Sequence, residues 1–258
     1  MTSRRPARAA LAAILLAIAT PLAGQEAAST PPGVVAPSPA TDSVYPFQPP
    51  AGASMRTGAT TYRLSLLRDA GASSLGVRTI EVTETQLGGM ATWLIAERRT
   101  GTAVPTTDSL WLTRAELTPV RWVGTIERAQ LAASFAHDSI FGALQNYAGR
   151  SSFAAPLLPG VLVTPGMTER ILEMLPLRAD YRAAASLLLV DMGTPRALPA
   201  EIVVEREERI RTPAGDADCW VVVLRAGVME ERLWVDKARR MVVRTEQTSS
   251  LGKVVGEL

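Results

Sequence analysis

The chain has 258 residues, of which 47% are hydrophobic and 20% charged, a composition that fits a folded protein with a sizeable core. It contains one His (His137) and one Cys (Cys219), which excludes an internal disulfide framework and a Cys/His zinc site. The formal charge is only +2, so no nucleic-acid-binding surface is indicated and we expect no nucleic-acid partner.

The first 24 residues have the pattern of a signal peptide. Arg4, Arg5 and Arg8 precede an unbroken apolar stretch at 9–19, which is shorter than the roughly 20 residues of a transmembrane helix but fits a signal-peptide core. We predict cleavage after Gly24, export to the periplasm and no transmembrane segment in the mature chain. Removing this segment deletes three arginines and no acid, so the net charge changes from +2 to −1.

Residues 25–55 have the composition of an extended linker. Seven prolines lie among small and polar residues, so little apolar surface is available to offset the entropy cost of ordering, and we predict a disordered segment. The stretch 45–47 (YPF) is the part suited to docking on the domain. Gln25 stands where a lipoprotein signal requires Cys, so lipid anchoring at that site is excluded.

The remaining residues, 56–258, are predicted to form a single antiparallel β domain. Alternating or β-branched runs recur about every ten residues. Short turns containing Gly, Pro or Asp separate them, and such short connections favour antiparallel meanders over parallel pairing. The predicted strands are 60–68, 75–85, 91–99, 108–114, 119–127, 131–137, 139–147, 180–190, 200–211, 218–226, 231–236, 240–248 and 253–258.

Two stretches share one pattern, which indicates an internal duplication. Residues 110–115 (LWLTRA) match residues 233–238 (LWVDKA), and each stretch is followed, after three residues, by a matching segment, 119–121 (PVR) or 242–244 (VVR). The strand before each stretch carries another tryptophan, Trp93 or Trp220. We interpret these as two related three-strand meanders with a tryptophan on the first and second strands. Coincidence among Trp-containing strands is the alternative.

One helix is predicted at 167–175, between the two halves. Pro165 lies just before it and Pro176 ends it. A helix this short is unstable alone, so its apolar face must pack on the sheet. Residues 179–190 are compatible with a helix or a buried strand, and we predict a strand. The apolar face consists of Met167, Ile171, Met174 and Leu175.

Several local motifs resemble a family of Gram-negative periplasmic proteins of unknown function. They are 175–177 (LPL), 211–215 (RTPAG) leading to 218–220 (DCW), and 233–236 (LWVD) before 242–244 (VVR). That family is similar in pattern to the LolA/LolB-type lipoprotein carriers. The resemblance covers most of residues 60–258. It implies a mainly β fold in which an open, curved antiparallel sheet, or half-barrel, carries one or two short helices on its concave face around an apolar cavity.

No catalytic set can be assembled from the sequence. His137-Asp138-Ser139 has the residue types of a triad, but neighbouring side chains on a strand point to opposite faces and cannot act on one another. No Gly-x-Ser-x-Gly motif is present to expose a nucleophile. We expect His137 to be an ordinary turn or strand-end residue and Cys219 to be a buried structural thiol. We expect the protein to be a non-enzyme with neither metal nor cofactor.

The tryptophans and aliphatic side chains are the remaining indication of function. Core packing is one interpretation of the tryptophans, and lining of a lipid-sized cavity is the other. We predict a non-enzymatic periplasmic protein that binds an apolar ligand, a lipid or an acylated partner, in the half-barrel cavity. The alternative is an envelope scaffold or assembly domain with a protein partner and no cavity. The predicted ligand-binding residues are Trp93, Trp111, Trp220, Trp234, Ile171 and Leu175.

Overall fold

The structure is a computed structural model that describes residues 45–48, 50–102, 105–126, 129–163, 166–191, 194–249 and 251–258. The predicted signal peptide at 1–24 and the predicted linker up to residue 44 lie outside these described residues. Within the described ranges, no helix is long and apolar enough to cross a membrane.

A single large sheet contains the 16 strands of the described residues. Fifteen of them follow one hydrogen-bonded path in the order β1-β11-β12-β13-β14-β15-β16-β2-β3-β4-β5-β6-β7-β8-β9, and β10 adds to β11. Pairing is antiparallel except where β1 and β10 join β11. The strands are β1 Tyr45–Pro46, β2 Gly58–Arg68, β3 Gly71–Leu87, β4 Met90–Thr100, β5 Thr106–Thr113, β6 Pro119–Ile126, β7 Ala129–Phe135, β8 Ser139–Asn146, β9 Gly149–Pro156, β10 Val161–Val163, β11 Arg182–Asp191, β12 Thr194–Thr212, β13 Gly215–Ala226, β14 Met229–Asp236, β15 Met241–Ser249 and β16 Gly252–Glu257.

The last strand of the chain lies in the middle of the sheet. β16 pairs with β15 on one side and with β2 on the other, where Val255 is opposite Ser65. This pairing joins the strands β2–β9 to the strands β11–β16. The edge strand β9 returns to within 8 Å of β12, measured between Cα atoms, but it has no ladder with β12. The sheet is therefore strongly curved and open.

The predicted fold class is confirmed. The molecule is mainly β, with one curved antiparallel sheet, one α-helix (α1, Met167–Met174) and one short 3-10 helix (Gly52–Ser54). The ambiguous segment at 179–190 forms a strand, β11, as predicted. The sequence patterns do not predict β9 and β10. The first is a run of small and polar residues with few β-formers, and the second is only three residues long.

Residues 45–48 and 50–55 pack on the domain, as expected for 45–47. β1 pairs with β11, and the N–H of Phe47 donates to the carbonyl of Ala184 at 2.7 Å. Phe47 and Met55 are both buried, and the N–H of Gly52 donates to the turn between β5 and β6. The packed region thus begins before residue 56, because these two apolar side chains supply the burial that the neighbouring prolines lack.

The predicted duplication is visible in the turns of the two hairpins. β5–β6 and β14–β15 each contain a β-bulge directly after the tryptophan, at Trp111 and at Trp234. Six residues further on, each turn has a non-glycine residue in the left-handed region, Leu117 at φ 56° and Arg240 at φ 51°. Such a conformation is uncommon for these residue types, so its recurrence at matched positions supports a duplication.

The duplication extends beyond three strands. Strands β2–β7 and β11–β16 follow one another in the same order, and β5 starts at Thr106 where β14 starts at Met229. Cross-strand partners also match, since Trp93 pairs with Leu112 while Trp220 pairs with Val235. The sheet is therefore two six-strand repeats joined through β16 and β2. The first repeat is extended by β8 and β9.

Helix α1 packs inside the curve of the sheet, against β10, β14 and β15. Met167 and Ile171 belong to the main core, as the apolar periodicity predicts. Met174 is only half-buried, and Leu172 is buried on the opposite flank. The helix also buries two polar residues, Thr168 and Glu169, because the sheet surrounds it on several sides.

Candidate functional site

The six predicted ligand-binding residues do not converge on one cavity within the described residues. Trp93, Ile171 and Leu175 lie in the main core, where each is at most 3% exposed. Trp220 is half-buried at the edge of that core, and with Leu175 it lines only a narrow space of about 30 Å³. These residues fill the interior of the sheet, which is the core-packing interpretation.

Trp111 and Trp234 face away from the main core. Strand alternation explains this placement, because Leu110 and Leu112 on either side of Trp111 are buried in the core. Trp234 packs in a small separate cluster with Cys219. Leu233 and Val235, its neighbours along the strand, belong to the main core.

A cation covers each of the four tryptophans, and the repeats match in this respect too. Arg121 lies 5.9 Å from the ring centroid of Trp111, and Arg244 lies 5.1 Å from that of Trp234. The other two tryptophans, Trp93 and Trp220, face inward. The cations over their rings, Arg114 and Lys237, come from the hairpin turns. These contacts are structural cation–π interactions at equivalent positions.

A buried ionic network crosses the interior of the first repeat. The Arg78 guanidinium forms ion pairs with Glu97, at 2.6 Å between Nη2 and Oε2, and with Glu169 of helix α1. The second oxygen of Glu97 accepts from Arg99 at 2.8 Å. Burial opposes ionisation of Glu97, but the pairing with Arg78 and Arg99 holds its pKa below the usual range. The network therefore anchors the helix to β3 and β4.

Next to this network is a chamber of about 190 Å³. Burial, together with the nearby charge of Glu169, raises the pKa of Glu231 to about 7. Two buried polar atoms at the chamber wall have no hydrogen-bond partner in the described structure, Nε of Arg78 and Oγ1 of Thr168. The residues that line the chamber are Leu64, Arg78, Arg99, Thr168, Glu169, Leu189, Met229, Glu231, Thr245, Gln247 and Val254.

Asp108 occupies the position in the first repeat that Glu231 occupies in the second. It pairs across the ladders with Glu97 and with Gly124, and its Oδ1 accepts from the indole Nε1 of Trp122 at 3.1 Å. Burial raises the pKa of Asp108 to about 6, although the Trp122 hydrogen bond opposes this shift.

A larger cleft of about 690 Å³ lies on another side of helix α1. Its walls come from the 3-10 helix, the start of β2, helix α1 and the β14–β15 turn. Three methionines and four arginines line it, together with a single carboxylate, that of Glu173. These side chains are Met55, Met174, Met241, Arg56, Arg170, Arg239, Arg240 and Glu173.

The arginines of this cleft differ in whether a carboxylate pairs with their positive charge. Arg170 pairs with Glu173 at 3.0 Å, and burial raises the pKa of Glu173 to about 7 although Arg170 opposes the shift. Arg239 pairs with Asp236 at 2.7 Å. Arg240 donates to the carbonyl of Leu175 at 2.7 Å rather than to a carboxylate. Arg56 is exposed and forms no ion pair with a described residue, so the cleft carries an excess of positive charge.

A third cleft, of about 700 Å³, is comparable in size and is lined by five carboxylates and three cations. Its walls hold Asp216, Glu207 and Asp236, and each of these carboxylates pairs with a cation of the same cleft, namely Arg209, Lys237 and Arg239. The two further carboxylates, of Glu208 and Asp218, leave this cleft with an excess of negative charge, opposite in sign to that of the cleft beside helix α1.

The single His and the single Cys are placed as expected. His137 is exposed in the turn between β7 and β8. Cys219 is fully buried and unpaired, and burial raises the pKa of its thiol to about 12, so the thiol is unreactive. Over the ranges that the structure describes, no group of three or more His, Cys, Asp or Glu side chains could hold a metal ion.

Sequence reasoning missed the interior charges, although strand alternation carries a signal for them. Arg78 is in phase with buried Ile80, and Glu97 is in phase with buried Ile95. Glu231 is likewise in phase with buried Leu233. A charged residue on the inward phase of a strand is expensive to bury, so each of these positions indicates a paired or functional group.

Comparisons with known proteins identify only distant structural likenesses. No protein-family profile and no curated protein matches the chain. The fold is similar to the crystal structure of a β-barrel-like protein of domain of unknown function DUF1849 from Brucella abortus, at 11% identity and a TM-score of 0.47, covering 78% of this chain and 94% of that one. It is also similar to a candidate lipoprotein from Parabacteroides distasonis, at 13% identity and a TM-score of 0.27, covering 82% and 98%. The similarity to LolA/LolB-type carriers stays a prediction.

Proposed function

We propose that this protein is a non-enzymatic binding protein of the bacterial envelope whose ligand is an amphiphile with an anionic head group. A fatty acid, an acidic lipid or the acyl chain of an acylated partner has this chemistry. The observation that supports the proposal is the 690 Å³ cleft beside helix α1, which combines uncompensated arginine with methionine. Its volume is within the range of small-molecule sites.

The two kinds of side chain serve the two ends of such a ligand. Arginine presents several N–H donors in a planar fork, which suits a carboxylate or a phosphate. Methionine is unbranched and polarisable, so Met55, Met174 and Met241 can adapt to an alkyl chain. The proposed ligand still has the apolar part that the sequence predicts, but we place it in the cleft beside helix α1 rather than in the tryptophan-lined interior.

Isothermal titration calorimetry of dodecanoate binding to the full chain tests the proposal. We expect Arg56→Gln to weaken binding by about tenfold, because a charge-assisted hydrogen bond is lost. Arg63→Gln is the matched control. Arg63 is exposed, as Arg56 is, but it lies on β2 and outside the cleft. Dodecyltrimethylammonium, with the opposite head-group charge, should bind much more weakly than dodecanoate.

A second variant tests the apolar wall. Met241→Glu should abolish dodecanoate binding because it places a carboxylate against the alkyl chain, whereas Met90→Glu, at an exposed site elsewhere, should leave it unchanged. Equal binding of dodecanoate to all variants would contradict the proposal. So would cross-linking in cells that yields one dominant protein partner while no amphiphile co-purifies, a result that favours the scaffold alternative.

A further inference from the structure

The chamber beside the Arg78 network has the features of an unfilled polar site. Oγ1 of Thr168 belongs to a side chain that is only 2% exposed, and it has no partner among the described residues. Nε of Arg78 is also buried and unpartnered. The structure shows no hydrogen bond or ion pair for the carboxylate of Glu231, which lines the same space. Buried polar groups are nearly always satisfied, so these two unpartnered atoms, beside the half-buried carboxylate of Glu231, call for a further occupant.

The charges around the chamber do not balance. Two guanidinium groups, of Arg78 and Arg99, face the carboxyl groups of Glu97, Glu169 and Glu231, with Asp108 adjacent to Glu97 on the next strand. The arginines compensate Glu97 and Glu169 directly. Glu231 forms no direct ion pair with a described residue, although Arg78 and Arg99 line the same chamber, so its ionised carboxylate would be stabilised further by a cation in the chamber.

We propose that this chamber binds a small organic cation, a primary ammonium group with a short aliphatic body. An ammonium group has three donors, and three acceptors are available at the wall: the Glu231 carboxylate, the free oxygen Oε2 of Glu169 and Oγ1 of Thr168. Because Oε1 of Glu169 accepts from Arg78, only its second oxygen remains for the ligand.

The rest of the chamber wall suits the aliphatic body. Leu189, Met229 and Val254 present apolar surface, and Thr245 and Gln247 complete the polar side. A space of about 190 Å³ is too small for a lipid and large enough for a molecule of a few heavy atoms. This site lies apart from the basic cleft of the proposed function and has the opposite charge. An experiment can therefore contradict either proposal while the other still holds.

Binding of n-butylammonium chloride to the full chain, measured by isothermal titration calorimetry at pH 8, tests the inference. We expect saturable one-to-one binding that Glu231→Gln weakens at least about tenfold, since the variant keeps the shape and removes the charge. Glu230→Gln is the matched control, because Glu230 lies one residue away and pairs with Arg225 and Arg232 outside the chamber. Sodium chloride at equal ionic strength and 1-butanol should give no saturable signal.

The pH dependence gives a second readout. The groups that act on Glu231 are Glu169 and Thr168 from the helix, Arg78 from β3, Arg99 and Glu97 from β4, and Thr245 and Gln247 from β15. Since the pKa of Glu231 is raised to about 7, protonation competes with the cation, and affinity should fall about tenfold from pH 8 to pH 6. The inference is overturned if butylammonium does not bind, if sodium chloride produces the same response, or if Glu231→Gln binds as well as the wild type. Each of these outcomes would mean that the chamber holds only water.

Discussion

The two six-strand repeats share their hairpin geometry and differ in what fills their interior. In the first repeat, Trp122 and Gly124 follow the bulge on β6, and the indole reaches the Asp108 carboxylate. A Cβ atom on Gly124 would lie only 1.9 Å from Oδ1 of Asp108, so this end of the repeat is tightly packed. In the second repeat the matched residues are Thr245 and Gln247, and the chamber is found there.

The comparison explains where the chamber comes from. A large indole is replaced by a threonine at the same position of the ladder, and the matched carboxylate, Glu231, loses its hydrogen-bond donor. The same backbone therefore gives a closed carboxylate site in one repeat and an open one in the other. Packing density rather than strand geometry separates the two.

The first repeat also supplies the buried charges. Tyr62 is opposite Arg78 on its first ladder, whereas Ala185 is opposite Ala200 on the matched ladder of the second repeat. The residue matched to Arg78 in the second repeat is therefore an alanine, which cannot take the place of the guanidinium in an ionic network. The repeats differ in their interiors even though their backbones correspond.

The largest effect is expected at the centre of the ionic network. Arg78→Met would leave Glu97 and Glu169 as buried carboxylates without their main partner, so the free energy of unfolding should fall by about 3–5 kcal/mol. Urea denaturation measures this. Arg225→Gln removes an exposed ion pair of the second repeat and should cost at most about 0.5 kcal/mol. A cost below about 1 kcal/mol for Arg78→Met would contradict an anchoring role.

The pH dependence of stability should separate the matched carboxylates. Both Asp108 and Glu231 have a raised pKa in the folded state, about 6 and about 7, so each stabilises the protein below its unfolded pKa and loses that contribution as pH rises through the folded value. The pKa of Glu173 is also raised in the folded state, to about 7, so its contribution to stability is lost over the same direction of pH change. We expect the free energy of unfolding to fall between pH 4.5 and pH 8, by about 2–3 kcal/mol for each of the three groups.

Two variants divide this dependence between the repeats. Asp108→Asn should remove the part of the decline that ends near pH 6, and Glu231→Gln should remove a part that continues towards pH 7. Urea denaturation curves at several pH values measure both. A decline that is identical in both variants and in the wild type would show that neither carboxyl is perturbed by its surroundings.

A smaller effect should distinguish the two left-handed turn residues. Leu117→Gly relieves its backbone strain but removes a side chain that is 1% exposed, so we expect a net loss of about 2 kcal/mol. Arg240→Gly relieves the same strain and loses two hydrogen bonds to backbone carbonyls, so the change should stay within about 1 kcal/mol. Thermal unfolding compares them, and equal losses would mean that the turns are not energetically distinct.

The fold could be predicted from local patterns, because strand alternation and turn residues are recorded in short stretches of sequence. The hairpins containing Trp111 and Trp234 were recognisable for the same reason. The outward orientation of both tryptophans also follows from alternation, since leucine or valine flanks each of them on the opposite phase. Trp93 and Trp220, by contrast, lie on the inward phase of their strands.

The candidate sites could not be predicted in the same way. The Arg78 network unites β3, β4 and helix α1, and the last partner, Glu169, is 91 residues from Arg78. The basic cleft likewise needs the 3-10 helix and the β14–β15 turn to meet. Such groupings depend on which strands become neighbours across the join at β16, and a periodic pattern does not specify that arrangement.

The position of β16 has a consequence for how the molecule acquires its shape. Within the sheet, the first repeat pairs with the second through the last strand of the second repeat, so the join between β2 and β16 brings together residues nearly the whole domain apart. Pairings of such long sequence separation form slowly, and the edge of β2 stays unsatisfied until they do. Protection of the emerging β2 edge by a holding chaperone would therefore matter more for this chain than for one whose strands pair in the order of synthesis.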